Sequence, residues 1–293
     1  MEKELSFTIS QNRKINTRLP AFIVGILNIT PDSFYPEGRC SAGMAAEKAL
    51  KLIEEGADML DIGAESTRPG HIPVSEEEEL SRLIPALRAI RKVTDCPISV
   101  DTTKAAVLKA ALDEGADILN DVSALQNDKY MENVCASTEI PVILMHNHDI
   151  ISNEKEDAAV LVSDFLSKRV QQAIKAGINP ERIILDAGIC FGKSLKQNIC
   201  LIRSSRTIRA LVMEKTGLSG DALLPVMMAL SRKSCIGMIT GREVEQRLSG
   251  TLSANLMAVQ EGATFLRVHD VAETWDMLKT VAALETEELG DSH

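Results

Sequence analysis

The sequence contains few aromatic residues, only 3% of 293, so its core has to be built from Ala, Val, Ile, Leu and Met. It also lacks long apolar runs, and none approaches the roughly 20 residues that a membrane-spanning helix needs. The first 20 residues have no apolar centre of the kind found in signal peptides. We therefore expect a cytoplasmic protein without a membrane partner.

Basic residues are outnumbered, with 32 Lys and Arg against 42 Asp and Glu and a net charge of −10. This balance argues against a nucleic-acid partner, which would need a basic field. It leaves room for an anionic small substrate, provided that cations gather locally.

Paired cysteine motifs are absent. The six cysteines, at positions 40, 96, 135, 190, 200 and 235, form no CxxC pair and have no regular spacing. In a cytosolic chain this pattern favours free buried thiols over disulfides or a zinc site.

Short apolar segments alternate with segments of helical period along most of the chain. The predicted strands are Phe22–Asn28, Met59–Gly63, Ile98–Asp101, Ile118–Asp121, Val142–His146, Ile183–Asp186, Val226–Leu230 and Thr264–His269. The helical segments between them include 44–55, 76–92, 104–114, 158–176 and 252–261. Eight strand–helix units indicate parallel strands joined by crossovers.

The fold prediction is a single (β/α)8 TIM barrel over residues 1–293. Its core spans about residues 20–284, a short N-terminal hairpin closes the barrel bottom, and the C-terminal tail is polar. An open doubly wound sheet is the alternative, but the G-x-G-x-x-G fingerprint of that class is missing. A weak repeat supports the barrel, because Gly56, Gly115 and Gly262 each fall between a helix and a strand, where a left-handed residue is favoured.

Polar residues follow every predicted strand. In chain order these strand ends carry Asn28; Asp61 with Glu65 to Arg68; Asp101; Asn120 and Asp121; His146 and Asn147; Asp186; Ser231 to Lys233; and Arg267 with His269. Any one of them could be a turn or cap residue. In a barrel, however, all these ends meet on the face that carries the active site.

The set divides into two kinds of chemistry. Carboxylates and an amide suit a planar heterocycle with N–H groups, whereas Lys and Arg suit a phosphate or carboxylate. Asn28 offers a neutral oxygen for Mg²⁺ on a diphosphate. Two long loops on this face, 29–43 and 64–74, are either lids or ordinary surface loops.

These segments also resemble those of the dihydropteroate synthase family. "GILNITPDSF" and "DIGAESTRPG" resemble its two signature segments, and the match continues through "SVDTTK", "ILNDVSA", "LDAGICFGK", "LSRKSCIG" and "RVHDVAET". The resemblance implies a (β/α)8 barrel, dependence on Mg²⁺, a homodimer and membership of a family that sulfonamides target. It implies joining of p-aminobenzoate to (7,8-dihydropterin-6-yl)methyl diphosphate, which gives 7,8-dihydropteroate and diphosphate.

The resemblance also implies residue roles. The pterin would be held by Asp101, Asn120, Asp186 and Lys233, and the diphosphate by Arg267 and His269, with Thr67 nearby. The p-aminobenzoate side would be lined by Arg68, Pro69, Phe191 and Ser231. Asn28 would bind Mg²⁺, and Asp32 and Ser33 would lie in the first loop. The residues expected to be catalytic are Lys233, Asp101, Asp186, Arg267 and Asp32.

This reaction needs positioning and charge stabilisation more than a strong base. Breaking the C–O bond to diphosphate leaves positive charge on the pterin, which Asp101 and Asp186 would stabilise. The attacking aryl amine is already neutral at pH 7. His146 is then expected to be structural and His71 a loop residue, neither of them a metal ligand.

The chain departs from the family pattern near the predicted p-aminobenzoate side. The usual Asp-Pro-Gly-Ile-Gly-Phe is present as Asp186-Ala187-Gly188-Ile189-Cys190-Phe191, and Cys235 occupies a position that is often aromatic. Asn147 and Ala64 replace a methionine and a glycine. Cys190 and Cys235 are interpreted either as thiols near the p-aminobenzoate entrance or as packing residues.

Three other functions remain as alternatives. A methyltetrahydrofolate-dependent methyltransferase uses a similar barrel but needs no diphosphate site. A non-catalytic pterin-binding paralogue would have lost turnover. A phosphate-binding aldolase barrel would require a Schiff-base lysine, and no strand carries a convincing one.

Overall fold

In the computed structural model, eight parallel strands close into a barrel with helices around it, as predicted. The structure describes residues 4–29, 42–65, 73–148, 157–220 and 223–286. The barrel strands, in the order in which they pair and with the last closing onto the first, are β10, β3, β4, β5, β6, β7, β8 and β9. Their bounds are β3 Phe22–Asn28, β4 Met59–Gly63, β5 Ile98–Asp101, β6 Ile118–Asp121, β7 Val142–Met145, β8 Ile183–Asp186, β9 Val226–Met228 and β10 Phe265–Val268.

The described part of the chain holds ten α-helices. They are α1 Ala42–Glu54, α2 Glu76–Arg91, α3 Ala105–Asp113, α4 Met131–Thr138, α5 Ala158–Lys175, α6 Leu195–Ile202, α7 Ser205–Thr216, α8 Ser234–Thr240, α9 Leu248–Gln260 and α10 Val271–Thr286. The predicted bounds of β3, β4, β5, β6 and β8 are confirmed to the residue. The other three barrel strands are one or two residues shorter than predicted: β7 ends before His146, β9 ends at Met228, and β10 lacks Thr264 and His269. No helix in these ranges is long and apolar enough to cross a membrane.

The glycines that separate helices from strands adopt left-handed conformations, as predicted. Gly56, Gly115 and Gly262 have φ values of +104°, +90° and +97°, a region that L residues with a Cβ rarely enter. Gly56 is also tightly packed, because an added Cβ would lie 2.4 Å from Cδ1 of Trp275.

An antiparallel hairpin closes the bottom of the barrel, as predicted. Strands β1 (Leu5–Thr8) and β2 (Lys14–Thr17) pair with each other, and Phe7 packs with Phe22 and Phe265, the first residues of β3 and β10. The Phe265 ring lies 5.3 Å from that of Phe7, edge to face, and 4.9 Å from that of Phe22. The hairpin thus adds one aromatic ring, that of Phe7, to the two that the barrel strands place at the floor.

The apolar residues form two separate cores. A large core fills the space between the strands and the helices. A smaller one fills the lower barrel interior and contains Phe7, Ile9, Ile15, Phe22, Val24, Met59, Ile118, Ile143, Ile184, Met227 and Phe265. Because side chains alternate between the two faces of a strand, the next residue but one after an interior residue of a barrel strand also points into the barrel.

Candidate active site

A polar layer lies directly above the apolar floor of the barrel. The step from one layer to the other takes two residues on each strand: Ile118 to Asn120 on β6, Ile184 to Asp186 on β8, and Phe265 to Arg267 on β10. Asn120 and Asp186 are buried, and Arg267 is half-buried. The sequence period therefore brings residues that are distant along the chain to one level inside the barrel.

Arg267 crosses the barrel mouth to reach two carboxylates. Its Nε donates to Asp61 Oδ2 at 2.6 Å, and its Nη2 donates to Asp101 Oδ2 at 3.3 Å. Strand β3 lies between β10 and β4, so these contacts span the interior rather than follow neighbouring strands. Burial opposes the charge of Arg267, but the carboxylates of Asp61 and Asp101 outweigh it and raise the pKa of the guanidinium.

Asp61 is the centre of this network, although sequence reasoning noted it only as a polar strand end and gave it no role. Ser99 Oγ donates to Asp61 Oδ1 at 2.6 Å, and Asn120 Nδ2 donates to Oδ2 at 3.2 Å. The signal was the single acid within "MLDIG", a strand in which all five residues are buried.

Asp101 has a buried acceptor that the protein leaves unsatisfied. Its Oδ1 has no hydrogen-bond partner among the described residues, and an unpaired buried polar atom costs about 1–3 kcal/mol. Burial, followed by the neighbouring charge of Asp61, raises the pKa of Asp101 to about 8. A ligand with N–H donors would satisfy this oxygen.

Lys233 lies beside Asp186 on the other side of the mouth. Burial raises the pKa of Asp186, and the charge of Lys233 partly offsets that rise; burial likewise lowers the pKa of Lys233. Lys233 Nζ donates to the carbonyl of Ile189 at 2.7 Å and lies 4.9 Å from the centre of the Phe191 ring. Lys233 thus lies close both to Asp186, which the resemblance assigns to the pterin, and to Phe191, which it assigns to p-aminobenzoate.

Ser231 and His269 form a separate pair at the rim. The backbone N–H of His269 donates to Ser231 Oγ at 3.2 Å, and Nδ1 of the His269 ring lies 3.0 Å from the same oxygen. His269 is exposed and Ser231 is buried. The structure therefore joins a residue predicted for the diphosphate side to one predicted for the p-aminobenzoate side.

His146 is buried and held by Lys193, a contact that sequence reasoning missed. Lys193 Nζ lies 3.0 Å from Nδ1 of His146, and it also donates to the Phe191 carbonyl at 2.7 Å. Burial, with the charge of Lys193, lowers the pKa of His146 to about 3. The imidazole is therefore neutral at physiological pH, which fits the structural role expected of it.

An ion cluster holds both flanks of segment 66–72. Lys104 forms salt bridges with Glu65 and with Glu79, the second at 2.6 Å. The Val74 backbone N–H donates to Glu65 Oε1 at 3.2 Å. Glu65 therefore joins the chain before and after the segment. A cavity of about 1090 Å³ adjoins it, lined by Glu65, Asp101, Lys104, Asn147 and others.

Several predicted site residues lie outside the described residues: Asp32, Ser33, Thr67, Arg68, Pro69 and His71. Their roles stay predictions. Asn28 is described and half-buried; it ends β3, in register with Gly63 of β4. It therefore lies at the same mouth as the carboxylates.

Comparisons with known proteins agree with this arrangement. The family described as pterin binding enzyme matches residues 24–269. The dihydropteroate synthase of Haemophilus influenzae is 40% identical over 276 residues, covering 92% of this chain and 96% of its own length. That of Bacillus subtilis is 38% identical over 285 residues, covering 94% and 95%.

Solved structures give the same result. The Xanthomonas albilineans dihydropteroate synthase with 4-aminobenzoic acid is 40% identical, with a TM-score of 0.84, and the match covers 95% of this chain and 98% of that one. A second structure of the Xanthomonas enzyme, in complex with 7,8-dihydropteroate, has a TM-score of 0.78 at 39% identity and covers 90% and 94%. By sequence, fold and site, the chain belongs to the pterin-binding enzyme family, among its dihydropteroate synthases.

Proposed function

We propose that this protein condenses (7,8-dihydropterin-6-yl)methyl diphosphate with p-aminobenzoate, giving 7,8-dihydropteroate and diphosphate. It is a transferase of folate biosynthesis. The observation that carries the proposal is the pair of buried carboxyl groups, Asp101 and Asp186, facing the cations Arg267 and Lys233 at one barrel mouth. The acidic groups suit a fused heterocycle with N–H donors, and the cations suit its anionic leaving group.

Pterin binding would complete the hydrogen bonding of the polar layer. The unsatisfied Oδ1 of Asp101 and the amide of Asn120 line the mouth, and a pterin presents ring N–H and amino donors to such groups. Satisfying a buried acceptor recovers the free energy lost by leaving it unpaired. Orientation of the ring thus follows from groups already in place.

The reaction begins at the methylene carbon. The C–O bond breaks, its electron pair leaves with the diphosphate, and positive charge spreads over the dihydropterin. Asp101 and Asp186 would stabilise that charge beside the pterin, which Lys233 would also hold, while Arg267 and His269 would stabilise the departing anion. Because these groups are in place before the reaction, little reorganisation is needed as the bond breaks.

The amine of p-aminobenzoate then forms the C–N bond and releases a proton. An aryl amine is neutral at pH 7 and carries its lone pair, so the protein need only position it. We assign that side of the site to Phe191 and Ser231, with Arg68 and Pro69 from segment 66–72. His146 is buried and its pKa is lowered to about 3, so it is a weak base. This agrees with a reaction that needs no strong base.

Asn28 fits a role in binding Mg²⁺ on the diphosphate. Mg²⁺ prefers oxygen ligands and keeps several waters, so a single amide oxygen beside a diphosphate is a sufficient protein contribution. The described residues contain no cluster of three His, Cys, Asp or Glu that could hold an ion without substrate. When bound, the ion would supply charge neutralisation to the leaving group.

The test is a diphosphate-release assay with the purified protein. We expect release that requires both p-aminobenzoate and Mg²⁺, with 7,8-dihydropteroate formed in equal amount. Diphosphate release without dihydropteroate formation would contradict the transfer step. Binding of the pterin substrate without turnover would instead support the non-catalytic paralogue.

The methyltransferase alternative differs from the proposed function in its substrate, so an assay can distinguish the two. An enzyme that passes a methyl group from methyltetrahydrofolate needs no cations for a diphosphate. Arg267 lies in β10 and His269 follows it, and in that reaction neither would have an anionic leaving group to bind. Methyl transfer from methyltetrahydrofolate, with no diphosphate release, would replace our proposal with this one.

We also propose a cytoplasmic homodimer that sulfonamides inhibit by occupying the p-aminobenzoate side. Exposed apolar side chains at Met238, Ile239 and Val244 support the presence of a contact surface near α8. Light scattering coupled to size-exclusion chromatography measures the mass of the particle and so tests the homodimer. Inhibition is tested separately: a sulfonamide should compete with p-aminobenzoate in the diphosphate-release assay.

A further inference from the structure

Two cysteines meet beside Lys233, and the proposed reaction uses neither. Lys233 donates to the carbonyl of Ile189 at 2.7 Å and lies over the ring of Phe191. These two residues flank Cys190, and Cys235 follows Lys233 by two positions. The lysine therefore holds the loop after β8 against the first turn of α8, with one cysteine on each side of the contact.

Cys190 is held in an unusual backbone conformation. Its φ is +67°, a left-handed conformation that residues with a Cβ rarely adopt. Its N–H donates to Asn198 Oδ1 at 2.7 Å, which anchors it to α6. The family's glycine would carry no such strain, so this chain has a thiol at a position where glycine is the easier choice.

The two thiols are in direct contact but differ in exposure. The Cys235 side chain donates a hydrogen bond to the sulfur of Cys190. Cys235 is fully buried, whereas Cys190 is only half-buried. Both are free in the structure. An oxidant from solvent would therefore reach Cys190 first, with Cys235 behind it.

We propose that Cys190 is a peroxide-sensitive oxidation site and that Cys235 resolves it by forming a Cys190–Cys235 disulfide. The substrate class is a hydroperoxide, which acts as a two-electron oxidant. The thiol chemistry is independent of the proposed function. The expected effect on turnover rests on that function, because the bond would join the two segments that hold Lys233 and Phe191.

The electrostatics of the pair support this order of events. The hydrogen bond from Cys235, together with contacts from Ser234 and the charge of Lys233, lowers the pKa of Cys190 to about 5. The pKa of Cys235 is raised because it keeps the shared proton. Burial raises the pKa of Cys96 and of Cys135 to about 12. The thiolate is the reactive form, so oxidation should begin at Cys190.

The chemistry balances in two steps. The Cys190 thiolate attacks one peroxide oxygen, the O–O bond breaks, and the second oxygen leaves as hydroxide and is protonated to water. Cys190 is then a sulfenic acid. The Cys235 sulfur attacks it, the S–S bond forms, the S–O bond breaks, and a second water leaves with the Cys235 proton. Overall, two thiols are oxidised and one peroxide is reduced to two waters.

The test is peptide mapping of the full chain after treatment with hydrogen peroxide, without reductant and without substrate. We expect a cross-linked peptide pair containing Cys190 and Cys235 in the wild-type protein. It should also form in the control Cys200→Ser, which alters a thiol of similar exposure on α6. Cys190→Gly, which removes the backbone strain, should form no cross-link, and Cys235→Ser should accumulate sulfinic acid at Cys190.

A second measurement uses the unmodified chain, so it does not depend on whether a variant folds. At pH 6, iodoacetamide should alkylate Cys190 at least about tenfold faster than Cys200, because the gain in thiolate fraction exceeds the loss of nucleophilicity. The pKa of Cys200 is raised by burial, which supports the comparison. Faster oxidation or alkylation of any other cysteine, or sulfinic acid at Cys190 without cross-link in the wild type, would overturn the proposal.

Turnover gives a separate readout. If the proposed function holds, peroxide should slow diphosphate release in step with cross-linking, dithiothreitol should restore it, and Cys190→Gly should be resistant. If peptide mapping finds the cross-link but the protein has no synthase activity, the proposed function fails while the oxidation site stands. If the protein is active and no cross-link forms, the reverse holds.

Discussion

The lower and upper halves of the barrel interior are built by the same strands but differ in chemistry. Ile184 and Phe265 fill the floor with apolar contacts, whereas Asp186 and Arg267, two residues further along the same strands, face the mouth. The two layers are separated by about 7 Å, two residues of strand rise. Stability and chemistry are therefore assigned to adjacent layers, and single substitutions can address each of them separately.

The largest effect is expected in the upper layer at Lys233 and Arg267. We expect Lys233→Ala and Arg267→Ala each to slow turnover at least about a hundredfold, because each removes a preorganised charge, beside the pterin for Lys233 and on the leaving-group side for Arg267. The assay is diphosphate release under saturating substrate. Lys196→Ala and Arg242→Ala, at exposed positions, should leave the rate unchanged. Near-normal rates in both Lys233→Ala and Arg267→Ala would contradict the proposed mechanism.

A substitution in the floor should have the opposite character. Ile184 is fully buried, so Ile184→Ala should lower the free energy of unfolding by about 2–5 kcal/mol while turnover per folded molecule stays near the wild-type value. Urea unfolding followed by circular dichroism measures the first quantity. Val160→Ala, at an exposed position of α5, is the control. A stable but inactive Ile184→Ala protein would show that the layers are not separable.

Asp101, in the polar layer, should lower the free energy of unfolding at neutral pH. Folded Asp101 keeps its proton up to about pH 8, whereas the unfolded carboxyl loses it near 3.8. The folded state thus binds more protons between these values, and stability falls as pH rises through this window, by at most about 1.4 kcal/mol per pH unit.

Asp101→Asn removes that titration. We expect the variant to be more stable than the wild type at pH 7, and its advantage in urea unfolding to grow from pH 5 to pH 7.5. Its turnover should fall, since an amide, unlike the carboxyl group, cannot ionise to pair with positive charge on the pterin. Parallel pH profiles for the two proteins would contradict the assignment.

The smallest effect is expected at the hairpin beneath the floor. Phe7→Leu keeps an apolar side chain but loses the edge-to-face contact with Phe265, worth about 0.5–1.5 kcal/mol. We expect the free energy of unfolding to fall by about that amount, with turnover unchanged. A change in KM or kcat would place the hairpin in the functional half of the barrel.

Much of this architecture follows from the sequence, because each signal is local. Five barrel strands are predicted to the residue, since four of them are short apolar runs that end in Asn or Asp and the fifth, β4, ends in glycine. Gly56, Gly115 and Gly262 were found from their place between a helix and a strand. The meeting of Asp101, Asp186, Arg267 and Lys233 followed once the strands were recognised as parallel.

The contacts within the site could not be predicted in the same way. The role of Asp61 depends on Arg267 reaching across β3, which requires the register of the closed barrel. The Lys193–His146 and Lys104–Glu65 contacts depend on the direction of long side chains, which carry no periodic signal. Sequence reasoning thus located the strand ends but not the partners that each side chain selects.

The Glu65 carboxylate has a consequence for how proteins of this architecture can diverge. Glu65 lies directly before segment 66–72, and it binds two residues that come after the segment: the side chain of Lys104 and the backbone N–H of Val74. Insertions or deletions inside that segment would leave its two flanks where they are. We therefore expect natural variation in loop length to be tolerated there, whereas replacement of Glu65 would remove the contacts that fix the flank at Val74.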